Sequence, residues 1–211
     1  MKTMKLTMKT IKFLTVLSLF ISFASCDKDK DEPTPLEVES KKVENLHAPQ
    51  QGDFANPPIS GPFTKFDFAS GEITTSDTEW DIAFRGTSIV INGGVSSGAT
   101  DEPARNGNGG VYIASGAMAS VTEVNTASLE QDKADGYAIP TGSGNGWYVY
   151  DPAAHSINPI AGKILVIKTH DEKYAKVEIL SYYKDGVPSR DGSRYYTFNY
   201  VYQPNDGVTT F

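Results

Sequence analysis

"RYYTFNYVYQP", residues 194–204, decides the fold. Side chains of an extended chain alternate between two faces. Tyr196, Phe198, Tyr200 and Tyr202 therefore share one face, and Tyr195, Thr197, Asn199 and Val201 share the other. A row of four aromatic rings at period two predicts a strand with one side against a core.

The pattern spreads outward from there. In "KYAKVEILSYYKDG" (173–186), Ala175, Val177 and Ile179 oppose Lys176, Glu178 and Leu180, which gives a second strand. "KDGVPSRDGS" (184–193) joins the two as a long hairpin connection. Upstream, "GKILVIKTHDEKYAKVEI" (162–179) reads as another hairpin turning at "HDEK". Its first half is apolar on both faces, which predicts a central, covered strand. "EWDIAFRGTSIVINGG" (79–94) supplies a further pair, with Trp80, Ile82 and Phe84 facing one way and Asp81, Ala83 and Arg85 the other. Asp81 and Arg85 then read as a same-face ion pair at the sheet surface, worth at most about 1 kcal/mol. Glycines at 93, 94, 98, 107, 109 and 110 predict a mobile, loop-rich middle. One short helix fits "TASLEQDKADG" (126–136), where Ser128 and Gln131 have capping-box spacing and Gly136 stands at the end. The expectation is an all-β, antiparallel, sandwich-like domain with one short helix.

The N-terminal region belongs outside that fold. Lys2, Lys5, Lys9 and Lys12 precede an apolar run from Phe13 to Ala24, and Ala24 and Ser25 lead to Cys26. A basic start, a short apolar run and small residues describe a secretory signal. The run is shorter than the roughly 20 residues of a membrane span. "FASC" (23–26) resembles a bacterial lipobox, so residues 1–25 are read as a lipoprotein signal peptide and Cys26 as the lipidation site. That use explains a single cysteine in a secreted chain and excludes disulfides. "CDKDKDEPTP" (26–35) opens a flexible tether over 26–42, and the β domain is placed at 43–211. The signal carries four of the 19 basic residues and no acid, which leaves 15 against 26 acids and a net charge of −11. Such a surface repels phosphate backbones, so nucleic acid is excluded as a partner.

Catalytic motifs are missing from the sequence: no Gly-x-Ser-x-Gly elbow, HExxH, phosphate loop or Cys–His arrangement occurs. "GSGNGW" (142–147) is glycine-rich but neither follows an apolar strand nor opens a helix. The chain reads as a binding protein and not an enzyme.

Four blocks, "TTSDTEWDIAFRGTSIVINGG" (74–94), "GGVYIASGAMASVTEV" (109–124), "GWYVYD" (146–151) and "GKILVIKTHDEKYAKVEILSYYKD" (162–185), resemble in that order the HmuY family of haem-binding lipoproteins of the Bacteroidetes. The similarity runs from about Glu44 to Tyr202, strongest in "WDIAFR" and "KYAKVEILSYY". It implies an all-β domain that grips haem between loops at one end, anchored at the outer membrane. It also implies capture of haem from host or neighbouring haemoproteins and delivery to a TonB-dependent outer-membrane receptor. Lys30-Asp31-Glu32 resembles the export signal of surface lipoproteins in the same bacteria, which points to the cell exterior.

The resemblance further implies two axial side chains on the iron, one from mid-chain and one from the loop before "GKILVIK". Haem also needs apolar walls and donors for its two carboxylates. His155 occupies that loop, matching its place but not the family's ligand position, and is read either as a ligand or as a bystander. Met118, the one methionine beyond the signal peptide, is read either as the second ligand or as a core filler. Tyr112 lies nearly as close to that mid-chain position. Tyr112, Trp147, Tyr148 and Tyr150 are candidate cleft walls, and Lys163 and Arg105 candidate propionate partners. His170 in its hairpin tip reads as a solvated turn histidine, and His47 in "ENLHAPQ" as structural or solvated. Three outcomes stay open: haem held by His155 with Met118, haem held by one ligand, or a lipidated sandwich module that has lost haem and binds carbohydrate or another ligand.

Overall fold

The aromatic face of residues 194–204 is the floor of the core. The computed structural model describes residues 34–53 and 55–211, of which Pro35–Phe211 forms one unit. Its strands are β1 (Glu39–His47), β2 (Thr64–Asp67), β3 (Glu72–Thr74), β4 (Ile82–Arg85), β5 (Ser88–Ile91), β6 (Gly110–Ser115), β7 (Tyr148–Asp151), β8 (Ser156–Pro159), β9 (Lys163–Lys168), β10 (Tyr174–Tyr183) and β11 (Ser193–Gln203). They build an antiparallel five-stranded sheet in the order β1-β11-β10-β9-β6 and an antiparallel four-stranded sheet in the order β3-β2-β4-β5. A separate hairpin pairs β7 with β8. The leader 1–25 and Cys26 lie outside the described residues. β1 starts at Glu39, within the stretch expected to be tether.

Both sheets turn apolar faces to one core. Tyr196, Phe198, Tyr200 and Tyr202 of β11 meet Phe66, Phe68, Ile82 and Phe84 from the four-stranded sheet. Phe66 stands edge-on to Phe198 at 5.5 Å and to Tyr200 at 5.8 Å, the T-shaped geometry that aromatic quadrupoles favour. Ala175, Val177 and Ile179 add the neighbouring stripe from β10. β9 is central and covered, because Leu165 and Ile167 join this core while Ile164 and Val166 join a second cluster on the sheet's outer face. Met118, Tyr112, Leu129 and Phe211 cover that outer cluster.

Four local expectations change. Trp80 precedes β4 and packs with Ala83, Val90 and Phe63 on the opposite face from Ile82 and Phe84. Asp81 and Arg85 do not pair and are not at the surface; they are 1% and 4% exposed. Asp81 meets His170 at 2.7 Å, and Arg85 donates to the carbonyl oxygens of Gly61 and Thr100 and lies over the Phe63 ring. The helix expected over 126–136 contracts to one 3-10 turn, Thr126–Ser128. Glu130 then bridges to Val111 and Asp132 to Gly94, so tertiary pairing claims the backbone that a helix would need. The glycine-rich middle is stitched down: Asn92 Oδ1 accepts the N–H groups of Asn106 and Gly107, and Gly93 lies flat against Gly109.

Candidate functional site

The hairpin β7–β8 presents His155. Asp151 pairs with Ser156 across the hairpin, and its carboxylate accepts the N–H groups of Ala153 and Ala154. Pro152 follows, pre-set for a turn. His155 closes the turn at φ 50°, in the left-handed region that histidine tolerates better than most residues. Its Nδ1 lies 2.9 Å from the Tyr150 hydroxyl. With Nδ1–H donating to that oxygen, Nε2 keeps its lone pair, the arrangement in which an outer partner orients a metal-binding imidazole.

His155 lines a cleft of about 520 Å³. That volume falls within the roughly 300–1,000 Å³ of small-molecule sites. One wall is the β7–β8 hairpin with Ile157. The floor is Tyr182 and Tyr183 at the end of β10, and the far rim is Arg190 in the β10–β11 connection with Arg194 at the start of β11. Beneath lie Trp147, Tyr148 and Tyr196; Tyr182 stands 5.4 Å from Tyr196 and 5.9 Å from Trp147. Burial pushes the Tyr182 phenol up to about 12, with the Arg194 charge opposing, so it stays protonated at neutral pH. The Tyr183 hydroxyl accepts the Ile157 N–H at 2.8 Å and ties the hairpin to the sheet.

The candidate residues therefore part company. His155 and Tyr150 come together at the cleft. Trp147 is 2% exposed, donates from Nε1 to the Thr87 carbonyl, and supports the floor from below. Tyr148 belongs to the same core. Met118 and Tyr112 lie on the outer cluster of the five-stranded sheet, where the Tyr112 hydroxyl accepts the Asn125 N–H. Neither lines the cleft. Arg105 is sealed between Glu102 and Asp132 and cannot reach a ligand; its guanidinium is 1% exposed. Lys163 reaches the Ser115 hydroxyl. His47 stacks on Tyr195 with centroids 4.4 Å apart.

His170 is not simply solvated. Its ring and backbone N–H both face Asp81 Oδ1, at 2.7 and 2.9 Å. Asp67, Asp81 and His170 place ligand atoms within 4.8 Å of one another, as a metal site would. Both Asp81 oxygens are nonetheless taken, Oδ2 by the Phe68 N–H, so the cluster acts as a tie between the sheets. The residues that sequence reasoning passed over are Tyr182, Tyr183, Arg190 and Arg194. Two arginines four apart in an acidic chain were the available signal.

The fold is a β-sandwich with a cleft between the β7–β8 hairpin and the β10–β11 hairpin. The chain belongs to the HmuY family, whose model, described as HmuY protein, matches residues 62–200. Among solved structures it is similar to the apo HmuY analogue of Tannerella forsythia, with 13% identity, TM-score 0.47, and coverage of 81% of this chain and 99% of that one. A candidate HmuY-like haem-binding protein of Bacteroides vulgatus gives 13%, 0.45, 81% and 97%. A candidate lipoprotein of Bacteroides fragilis gives 14%, 0.45, 81% and 94%. No curated protein matches. Among the described residues no helix is long and apolar enough to cross a membrane.

Proposed function

We propose that this protein is a non-catalytic haem-binding protein, held at the outer membrane through Cys26, that captures haem and passes it to a TonB-dependent receptor. The observation that carries the haem reading is His155: an exposed imidazole, oriented by Tyr150, at the rim of a tyrosine-floored cleft. Membership of the HmuY family supports it. His155 Nε2 would hold the iron, the Tyr182–Tyr183 floor would take the macrocycle, and Arg190 and Arg194 offer positive charge. No second imidazole, thioether or thiol lines the cleft, which favours coordination by one protein ligand. A cleft with two guanidinium groups and an imidazole suits an anionic, metal-bearing ligand better than a neutral sugar. Anchoring at Cys26, outward orientation and delivery to a receptor follow from the leader sequence and the family.

Titrating haemin into the purified chain should sharpen and red-shift the Soret band with one equivalent bound. His155→Ala should weaken binding at least about tenfold, as loss of an iron–imidazole bond demands. An unchanged haemin spectrum at micromolar protein, or full binding by the alanine variant, would overturn the assignment.

A further inference from the structure

We infer that Arg190 and Arg194 form a carboxylate-recognising rim that selects the ligand by its anionic edge and sets its orientation against His155. This rests on the haem reading of the cleft and adds to it the source of specificity. The chain carries 26 acidic and 19 basic side chains, so a dianionic ligand meets a repulsive field over most of the surface. The cleft reverses that balance locally: two arginines line it and no aspartate or glutamate does. A neighbouring depression is mixed, with Lys42, Glu44 and Asp185, and the one near Asp171, Glu172 and Asp206 is acidic.

The Arg190 guanidinium is also available. Arg190 is exposed, and its side chain makes no hydrogen bond or ion pair among the described residues. Arg194 donates Nη1–H to the Gln50 carbonyl at 2.8 Å and stands beside the Tyr182 hydroxyl, so it is partly committed to the fold and adds its charge to the rim. The loop that carries Arg190 and leads into Arg194 at the start of β11 is held in shape. Lys184 N–H donates to the Gly192 carbonyl, Gly192 N–H to the Ser189 hydroxyl, and the Ser193 hydroxyl to the Arg190 carbonyl. At its base the Asn45 side chain both donates to the Asp185 carboxylate and accepts the Asp185 N–H. A planar fork on a fixed loop matches a carboxylate in two parallel bonds. With the imidazole on one hairpin and the arginines on the other, a tetrapyrrole would lie with its propionate edge toward the β10–β11 loop and its metal toward the β7–β8 turn.

The test compares haemin with haemin dimethyl ester, which keeps the iron and ring but lacks the carboxylates. Soret titrations are run on the full chain, Arg190→Ala, Arg194→Ala and the double variant. Each substitution should weaken haemin about tenfold, the scale of one charge-assisted pair, while leaving the ester within about twofold and the Soret position unchanged. Arg190→Ala decides the matter, since that side chain supports nothing else in the fold. Equal losses for both ligands, or no loss for either, would overturn the rim while leaving haem binding intact. No Soret change in the wild type with either ligand would remove the haem reading and the rim together.

Discussion

At the residue scale the pairing of His170 with Asp81 governs how stability depends on pH. The hydrogen bond to Asp81 raises the imidazole above its ordinary 6.5. Burial opposes this, and the charges of Asp81, Asp171 and Asp67 add to it. Burial pushes the Asp81 carboxyl up as well, against the bonds from His170 and Phe68. Because two backbone N–H groups also favour the carboxylate, the shared proton resides on His170. A histidine raised on folding contributes stability in full below its unfolded value, and that contribution is lost as pH climbs through the folded value. Denaturant midpoints should therefore fall as pH rises from the unfolded histidine value of about 6.5 through the raised folded one. His170→Ala should be less stable at the acid end and show a flatter profile. A profile as steep as the wild type's would assign the dependence elsewhere. The sequence placed His170 in its hairpin tip correctly but not its partner, since Asp81 is 89 residues away.

At the element scale, close approach of two loops substitutes for a longer strand pairing. A Cβ on Gly93 would sit 1.9 Å from the Gly109 carbonyl oxygen, so nothing larger than hydrogen fits without moving backbone. The crossing leads to the ion cluster of Glu102, Arg105 and Asp132, in which Arg105 lies 2.9 Å from Asp132. Gly93→Ala should cost about 3 kcal/mol, the upper range of overpacking, measured by urea denaturation. It should leave haemin affinity unchanged, because the cleft lies on other connections. A loss under about 0.5 kcal/mol would show that the loops yield instead. β10 and β11 were legible because period-two patterning is local. The segment 126–136 was misread for the same reason: helical spacing is local, whereas the bridges of Glu130 and Asp132 are not.

At the scale of the whole molecule, the proposed haem site offers a single imidazole among the residues that line the cleft. The haem complex should accordingly take up added imidazole at the free coordination position. Its spectrum should then shift to the low-spin form at millimolar ligand, read by absorbance. A complex already low-spin and unmoved by imidazole would mean that a second side chain reaches the iron. The pattern matches the fold's economy: Tyr182 and Tyr183 serve the core and the cleft floor at once, so the site adds little buried surface of its own.

Alternation along residues 173–184 and 193–203, together with the apolar run of β9, was enough by itself to determine an antiparallel β domain with its aromatic core face. Side-chain direction in a strand needs no knowledge of the partner strand. Tertiary structure alone decided which candidates meet. It put His155 with Tyr150, Tyr182 and the two arginines, and it moved Met118 and Tyr112 to the outer face of the sheet. It also locked Arg105 and Asp81 into buried ties. Those outcomes depend on how two sheets stack and two hairpins converge, which is set by contacts across tens of residues and leaves no periodic trace along the chain.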